Sequence, residues 1–193
     1  FDFGRVLLNI DPRLTQIGLA ELGYRPDDES KGAKDDAIVT NLESGKIRPD
    51  EFISSVLSVV TETATSNDII RVWNAMLLDF PEKHVKTLLK LKQNYRIFLL
   101  SNSNQIHYDF YIRSFRETYG FELSSLFEKM WFSFQLGMIK PNVEIFEYIL
   151  RDANILASET LFVDDTLMHI ESARKTGIRG FHLDADNDIS DLF

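Results

Sequence analysis

Hydrophobic positions in residues 12–80 recur at the three-to-four-residue spacing of amphipathic helices. Near the end of this stretch, Ile69, Trp73 and Met76 fall on one helical face, which predicts that this face is buried. The pattern predicts four helices, over residues 12–22, 33–43, 50–62 and 69–78. Ser66 or Asn67 is the expected N-cap of the fourth. The stretch contains no segment with the pattern of a strand.

From residue 81 onward, short β-rich runs alternate with helices. Helices are predicted over 81–92, 105–119, 142–153 and 168–176, and strands over 95–100, 129–134, 160–163 and 178–183. Phe1-Asp2-Phe3 has the pattern of the end of a first strand, so we expect further residues upstream of Phe1. Whether a targeting segment precedes them stays open.

This alternation predicts an α/β fold: a Rossmann-like three-layer core with a mostly parallel sheet, plus an inserted α-helical cap. The expected core comprises residues 1–11 and 81–193, and the expected cap comprises residues 12–80. In such a fold the ligand site lies at the carboxyl ends of the strands.

Composition narrows the functional classes. The chain has 193 residues, a formal net charge of −9 and no cysteine. The acidic balance disfavours duplex nucleic acid as a partner, and the lack of cysteine excludes disulfides, thiolate metal sites and cysteine nucleophiles. No apolar run reaches the roughly 18 to 20 residues of a membrane span. We therefore expect a soluble, cytoplasmic protein with no membrane partner, either a monomer or a dimer.

Polar residues follow three of the predicted strands: Asp2, then Ser101-Asn102, then the pair Asp164-Asp165. Adjacent carboxylates repel each other unless a cation lies between them, and Mg²⁺ prefers oxygen ligands of this kind. Ser101 and Asn102 begin a helix, where backbone N–H groups favour an anion. Each residue alone could simply cap a turn or a helix. Together, at one sheet edge, they indicate a site for a phosphate and a hard cation.

Lys140 immediately precedes Pro141 between a predicted strand and a predicted helix. A lysine in a loop is most often a solvated surface charge. At this sheet edge, however, its ammonium would neutralise a phosphoryl group and the carboxylates around it.

These residues resemble the haloacid dehalogenase-like (HAD) hydrolase superfamily over nearly the whole chain. Its four motifs occur in order: Asp2 in FDFGRVLLNID, Ser101 in LLSNSN, Lys140 in GMIKPNVEIF, and the acidic pair in LFVDDTLMHIESARKTGI. The segment between the first two motifs is similar to the family's helical cap in the first insertion position. The resemblance implies a phosphatase acting on a small phosphorylated metabolite.

The resemblance also implies roles for individual residues. Asp2 would be the nucleophile that forms an aspartyl-phosphate, Ser101 would hold a phosphoryl oxygen, and Lys140 would offset charge. Asn102 would shape the phosphate loop.

Mg²⁺ is the implied cofactor. The resemblance implies that Asp2, the Gly4 carbonyl and Asp165 hold it. Asp164 would be either a further ligand or a group that orients a metal-bound water.

Gly4 departs from the family pattern, which usually has an aspartate there as general acid and base. Sugar-1-phosphate phosphatases of the superfamily resemble this chain in having glycine at that position, so a sugar phosphate is the expected substrate. A replacement acid could be His107, His169 or a residue of the cap. The cap residues considered as facing the site are Arg13, Glu43, Lys46, Arg48 and Trp73. Arg5 has no assigned role.

Two alternatives stay open at this point. A 2-haloacid dehalogenase shares the resemblance and needs no general acid, but it works without the metal that the acidic pair indicates. A catalytically impaired scaffold of the same superfamily, kept for binding, would fit the glycine at position 4. Turnover that depends on Mg²⁺ distinguishes the phosphatase from both.

Overall fold

Short parallel strands form the centre of the structure, a computed structural model that describes residues 1–25 and 37–193. The strands are β1 (Phe98–Ser101), β2 (Lys129–Phe132), β3 (Leu161–Asp164) and β4 (Arg179–His182). β1 pairs in parallel with β2, and β3 pairs in parallel with β4.

The first two residues join these pairs into one layer. The Phe1 nitrogen donates to the Phe98 carbonyl (2.9 Å), and the Phe1 carbonyl accepts from the Leu100 N–H (2.9 Å). On the other side, the Asp2 N–H donates to the Val163 carbonyl (2.8 Å). The order is therefore β2, β1, residues 1–2, β3, β4.

The predicted first strand is wrong in its extent. At Phe3 the chain already turns, because the N–H groups of Leu7 and Leu8 both donate to the Phe3 carbonyl (2.8 and 2.9 Å). Residues 1 and 2 make sheet bonds without forming a regular strand, and the turn that follows buries Val6, Leu7 and Leu8 in the core.

Helices cover both faces of the sheet, and further helices lie beyond the carboxyl ends of its strands. Their bounds are α1 (Pro12–Glu21), α2 (37–43), α3 (Pro49–Leu57), α4 (Ser66–Asn74), α5 (Glu82–Leu91), α6 (Gln105–Tyr119), α7 (Ser133–Leu136), α8 (Val143–Asp152) and α9 (Leu167–Lys175). Single 3₁₀ turns lie at Leu123–Leu126, Ala157–Glu159 and Ile189–Asp191. Within the described ranges, none of the helices combines the length and apolarity needed to cross a bilayer.

Side-chain alternation along the strands produces three layers. In β1, Leu99 packs in a core cluster with residues of α5 and α6, whereas the next residue, Leu100, packs with α8 and α9. In β3, Phe162 and Val163 divide between the same two clusters. Successive strand residues point to opposite faces, so the sheet has a buried core on each side. The α/β prediction is confirmed.

Several predicted boundaries shift. α3 ends at Leu57 rather than at residue 62, and β2 ends at Phe132 because α7 begins at the next residue. Thr65, not Ser66 or Asn67, caps α4. Its hydroxyl accepts from the Asp68 N–H at 3.2 Å, and the Asp68 carboxylate accepts from the Thr65 N–H at 3.0 Å. Residues 33–36 of the second predicted helix lie outside the described residues.

Helices α1 to α4 form a helical layer. The chain passes from the core into this layer and back along two neighbouring segments. The Asn9 N–H donates to the Asp79 carbonyl (2.9 Å), and the Leu78 N–H donates to the Asn9 carbonyl (3.0 Å). The Asp11 N–H donates to the Met76 carbonyl (2.8 Å), and Ile10 and Leu77 form an antiparallel bridge between this bond and the one from Leu78. The two connections therefore run side by side.

The helical layer contacts the core above the carboxyl ends of β1 and β2. Leu42 of α2 packs in one cluster with Trp73 of α4 and Ile106 of α6. A Cβ at Gly45 would overlap the carbonyl oxygen of Phe134, two residues beyond β2. Gly45 also has φ +68°, in the left-handed region that favours glycine.

Replacing this glycine tests the contact. We expect Gly45→Ala to lower the free energy of unfolding by the roughly 1–2 kcal/mol cost of a left-handed alanine plus a similar cost for displacing the Phe134 backbone. Gly120→Ala is the matched control, because Gly120 has φ +76° and open space around its Cβ position. Urea unfolding measures both variants, and equal losses would show that the contact contributes nothing.

Candidate active site

A buried ammonium group lies at the centre of the polar edge of the sheet. The Lys140 side chain is 1% exposed, and its Nζ lies 2.6 Å from Asp2 Oδ1 and 2.7 Å from Asp164 Oδ2. It also donates to the Leu100 carbonyl at 3.1 Å. The surface-charge alternative for Lys140 is therefore wrong, since the side chain joins residue 2, β1 and β3.

Asp164 is held by donors on every side. Besides Lys140, its Oδ1 accepts from the Thr166 N–H at 2.8 Å, and His169 Nδ1 lies 3.0 Å from both carboxylate oxygens. The Asp164 side chain is fully buried. With four close contacts to its two oxygens, this carboxylate is mainly engaged with the protein itself.

Asp165 has a different environment. Its carboxylate lies 3.4 Å from the Thr166 hydroxyl and 3.7 Å from Arg5 Nη1, and its side chain is 21% exposed. Arg5 lies beside this carboxylate and has φ +60°, an uncommon backbone conformation for a residue with a side chain. The two adjacent carboxylates thus divide into a buried, engaged group and a more accessible one.

Asn102 holds the backbone of Lys140. Its side-chain amide donates to the Lys140 carbonyl at 2.9 Å, and its side-chain oxygen accepts from the Lys140 N–H at 2.9 Å. The Lys140-Pro141 peptide bond is cis. In the structure the Asn102 side chain clamps the loop that carries Lys140, and a role in shaping the phosphate loop stays a prediction.

Ser101 ends β1 and is buried, with its hydroxyl directed to the Asn102 carbonyl at 3.2 Å. Ser133, just after β2, ties the next turn of the loop: its hydroxyl accepts from the Ser103 N–H (3.0 Å) and donates to the Ser103 carbonyl (3.1 Å). This contact was not predicted, because Ser133 lies inside the strand predicted over residues 129–134.

Three carboxylates at this edge can supply ligands to one cation. Oxygen atoms of Asp2, Asp164 and Asp165 lie within 4.8 Å of one another. An all-oxygen donor set of this size suits a hard divalent cation such as Mg²⁺ better than a softer metal. The structure thus brings together the three carboxylates that the sequence analysis named.

Opposing effects set the protonation of these groups. Burial raises the pKa of Asp2, and Lys140 pulls it the other way. Burial also disfavours the charged form of Lys140, but Asp2 and Asp164 outweigh it and raise the pKa of Lys140. For Asp164, burial is more than offset by Lys140 and His169, which bring the pKa to about 2. Lys140 is therefore charged and lies beside a charged Asp164.

The sequence analysis named His107 as a candidate for the missing general acid, and the contacts of its ring disfavour that role. Its Nε2 lies 3.1 Å from the Trp73 carbonyl and its Nδ1 lies 3.1 Å from the Asn104 side-chain nitrogen, so both ring nitrogens are engaged. Burial lowers the pKa of His107 to about 4. A neutral ring that stacks on Trp73 at 5.4 Å therefore joins the helical layer to the core.

Of the other cap residues considered, Glu43 is the one that interacts electrostatically with the site. It is half-buried, and the charges of Lys140 and His169 act on it. Arg13 and Arg48 are exposed and bind neighbouring carboxylates, Asp11 at 2.7 Å and Asp50 at 2.9 Å. Lys46 is exposed.

Known proteins resemble this chain over nearly its full length. It is 29% identical to a D-ribitol-5-phosphate phosphatase of Bacteroides thetaiotaomicron over 94% of this chain and 88% of that protein. It is also 29% identical to a sesquiterpene phosphatase of Aspergillus oryzae, over 95% of this chain and 87% of that protein.

Solved structures agree with these similarities. A HAD family enzyme from Bacteroides thetaiotaomicron, in complex with magnesium and inorganic phosphate, superimposes with a TM-score of 0.91. That enzyme is 31% identical, and the match covers 100% of this chain and 96% of that one. Residues 46–182 match the family described as haloacid dehalogenase-like hydrolase. The chain therefore belongs to the haloacid dehalogenase-like hydrolase family.

Proposed function

We propose that this protein is a Mg²⁺-dependent phosphatase that hydrolyses a small phosphorylated metabolite through an aspartyl-phosphate on Asp2. The observation that carries the proposal is the Lys140 ammonium, buried between Asp2 and Asp164 at 2.6 and 2.7 Å. A buried positive charge beside a carboxylate nucleophile provides the electrostatic stabilisation that transfer of a dianionic phosphoryl group requires.

In the proposed reaction, an Asp2 carboxylate oxygen attacks phosphorus and the bond to the leaving oxygen breaks. Ser101 donates its hydroxyl to a phosphoryl oxygen, while Lys140 offsets the negative charge gathered on Asp2 and the phosphoryl group. Water then attacks phosphorus, the bond to Asp2 breaks, and inorganic phosphate leaves. Two easier steps replace one difficult displacement.

Asp2 and Asp165, with the Gly4 carbonyl, would hold Mg²⁺. When bound, this ion supplies positive charge that neutralises phosphoryl oxygens. Asp164 serves chiefly as a positioning residue, because Lys140, Thr166 and His169 already occupy its oxygens. Asn102 positions Lys140 through the backbone.

The substrate we propose is a phosphate ester of a sugar or polyol. The ribitol-5-phosphate phosphatase relative, similar over 94% of this chain, supports that class. We also propose that residues 12–80 act as a cap domain over a core of residues 1–11 and 81–193. The cluster that Leu42 and Trp73 share with Ile106, and the contact of His107 with the Trp73 carbonyl, support a cap that rests on the phosphate side of the sheet.

Replacing the nucleophile tests this proposal. We expect Asp2→Asn to lower Mg²⁺-dependent phosphate release from a panel of sugar, polyol and p-nitrophenyl phosphates by on the order of 10⁴-fold or more, the scale seen when a hydrolase loses its nucleophile. Asp186→Asn, at an exposed aspartate, should keep full activity. Acid quenching of the wild-type reaction should trap one phosphoryl group on the Asp2 peptide. Phosphate release that persists in Asp2→Asn would exclude the intermediate.

Removing the buried ammonium should affect both turnover and stability. We expect Lys140→Met to lower kcat by roughly 10²- to 10³-fold, as for loss of one electrostatic contact to the transition state. Without the lysine, Asp2 loses its ammonium partner and faces Asp164 with no positive charge between the two carboxylates, so the free energy of unfolding should fall by about 3–5 kcal/mol.

Lys175→Met, at an exposed lysine, is the control for this variant and should leave both quantities unchanged. Phosphate release and urea unfolding provide the two measurements. Wild-type stability in Lys140→Met would contradict the described charge arrangement, and wild-type kcat would contradict the catalytic role.

A further inference from the structure

We propose that Glu43 of the helical layer is the general acid and general base of this site, in place of the aspartate that the chain lacks at Gly4. The inference rests on the phosphatase function proposed above. Gly4 has no side chain to protonate a leaving alkoxide, so that proton must come from another residue or from solvent.

The backbone on both sides of Glu43 is fixed against the core. On one side, Leu42 is 2% exposed and packs in one cluster with Ile106, five residues beyond the end of β1. On the other side, Gly45 abuts the carbonyl of Phe134, two residues beyond the end of β2. Glu43 is thereby held over the carboxyl ends of these two strands, the edge that carries Ser101.

The electrostatic neighbours of Glu43 belong to the site itself. Lys140, from the loop before α8, and His169, from α9, are the charged groups that act on it among the described residues. Both also contact Asp164, at 2.7 and 3.0 Å. Burial raises the pKa of Glu43, while Lys140 and His169 partly oppose that shift. A carboxyl group in this balance can both hold a proton and release it.

Other candidates are less suited to the task. Both ring nitrogens of His107 have partners, and its ring is neutral. His169 Nδ1 is engaged with the buried Asp164. Glu43 belongs to the helical layer, whereas the groups proposed to bind the phosphoryl oxygens, Ser101 and Lys140, belong to the core.

The proton balance closes over one cycle. As Asp2 attacks phosphorus, the bond to the leaving oxygen breaks, and the Glu43 carboxyl gives its proton to that oxygen and becomes a carboxylate. In the second step, this carboxylate takes a proton from the attacking water. Inorganic phosphate leaves, Asp2 regains its carboxylate, and Glu43 is again protonated.

A comparison of leaving groups tests the inference. With a sugar or polyol phosphate, whose alkoxide needs a proton, Glu43→Gln should lower kcat/KM by about 10²- to 10⁴-fold. With p-nitrophenyl phosphate, whose phenolate leaves unprotonated, kcat/KM should stay within about threefold of wild type, because this parameter reports steps up to the formation of phosphorylated Asp2. The slow second step should then produce a burst of nitrophenolate and accumulate phosphorylated enzyme.

Glu62→Gln, at an exposed glutamate of the helical layer, is the matched control and should behave as wild type with both substrates. Equal losses of kcat/KM on the two substrates, or no loss on either, would overturn the role of Glu43 while leaving the phosphatase proposal intact. Absence of phosphate release from the wild-type protein itself would overturn the proposed function and, with it, this inference. The urea unfolding midpoint of Glu43→Gln checks that the variant is folded.

Discussion

The buried ammonium of Lys140 is the interaction on which the rest of the site depends. It contacts Asp2, the Leu100 carbonyl and Asp164, which belong to three neighbouring positions in the sheet. Removing a charge from water is costly, and only close partners with good hydrogen-bond geometry offset that cost. The lysine can therefore remain charged only while these three chain segments keep their order, so the arrangement of the sheet and the charge of the site are one constraint.

This constraint also separates two residues that look equivalent in sequence. Asp164 faces inward and is occupied by Lys140, His169 and the Thr166 backbone, whereas Asp165 faces outward with weaker contacts. Strand alternation sends adjacent side chains to different environments. Asp164 can then hold neighbouring chain segments in place while Asp165 remains available to a cation. Because the two carboxylates lie in different environments, their mutual repulsion is reduced.

Local patterns in the sequence were enough to predict much of the fold. The bounds of α6 were predicted to the residue, since its polar N-cap and its terminal Gly120 mark both ends. The convergence of Asp2, Lys140 and the acidic pair followed from the rule that parallel strands present their carboxyl ends at one edge. Those inferences needed only spacing and the topology of alternating strands and helices.

What the sequence could not provide depends on contacts between distant segments. The Asn102 clamp on Lys140 spans 38 residues, and the burial of Glu43 depends on how the helical layer rests on the core. The early turn at Phe3 replaces strand pairing with hydrogen bonds from Leu7 and Leu8, a choice that the apolar pattern of residues 1–8 does not specify. For Arg5, the structure provides a strained backbone and a neighbouring carboxylate but no explanation.

The paired segments around Ile10 and Leu77 have an evolutionary consequence. Because the chain leaves and returns at one point, everything between these residues is, for the sheet, a single closed loop. Lengthening such a loop costs little additional closure entropy, about 0.6 kcal/mol for each doubling. Insertions and replacements in this part can therefore accumulate without disturbing the charges beneath it. A protein built in this way can acquire new substrates through changes in the helical layer, while the core is selected separately.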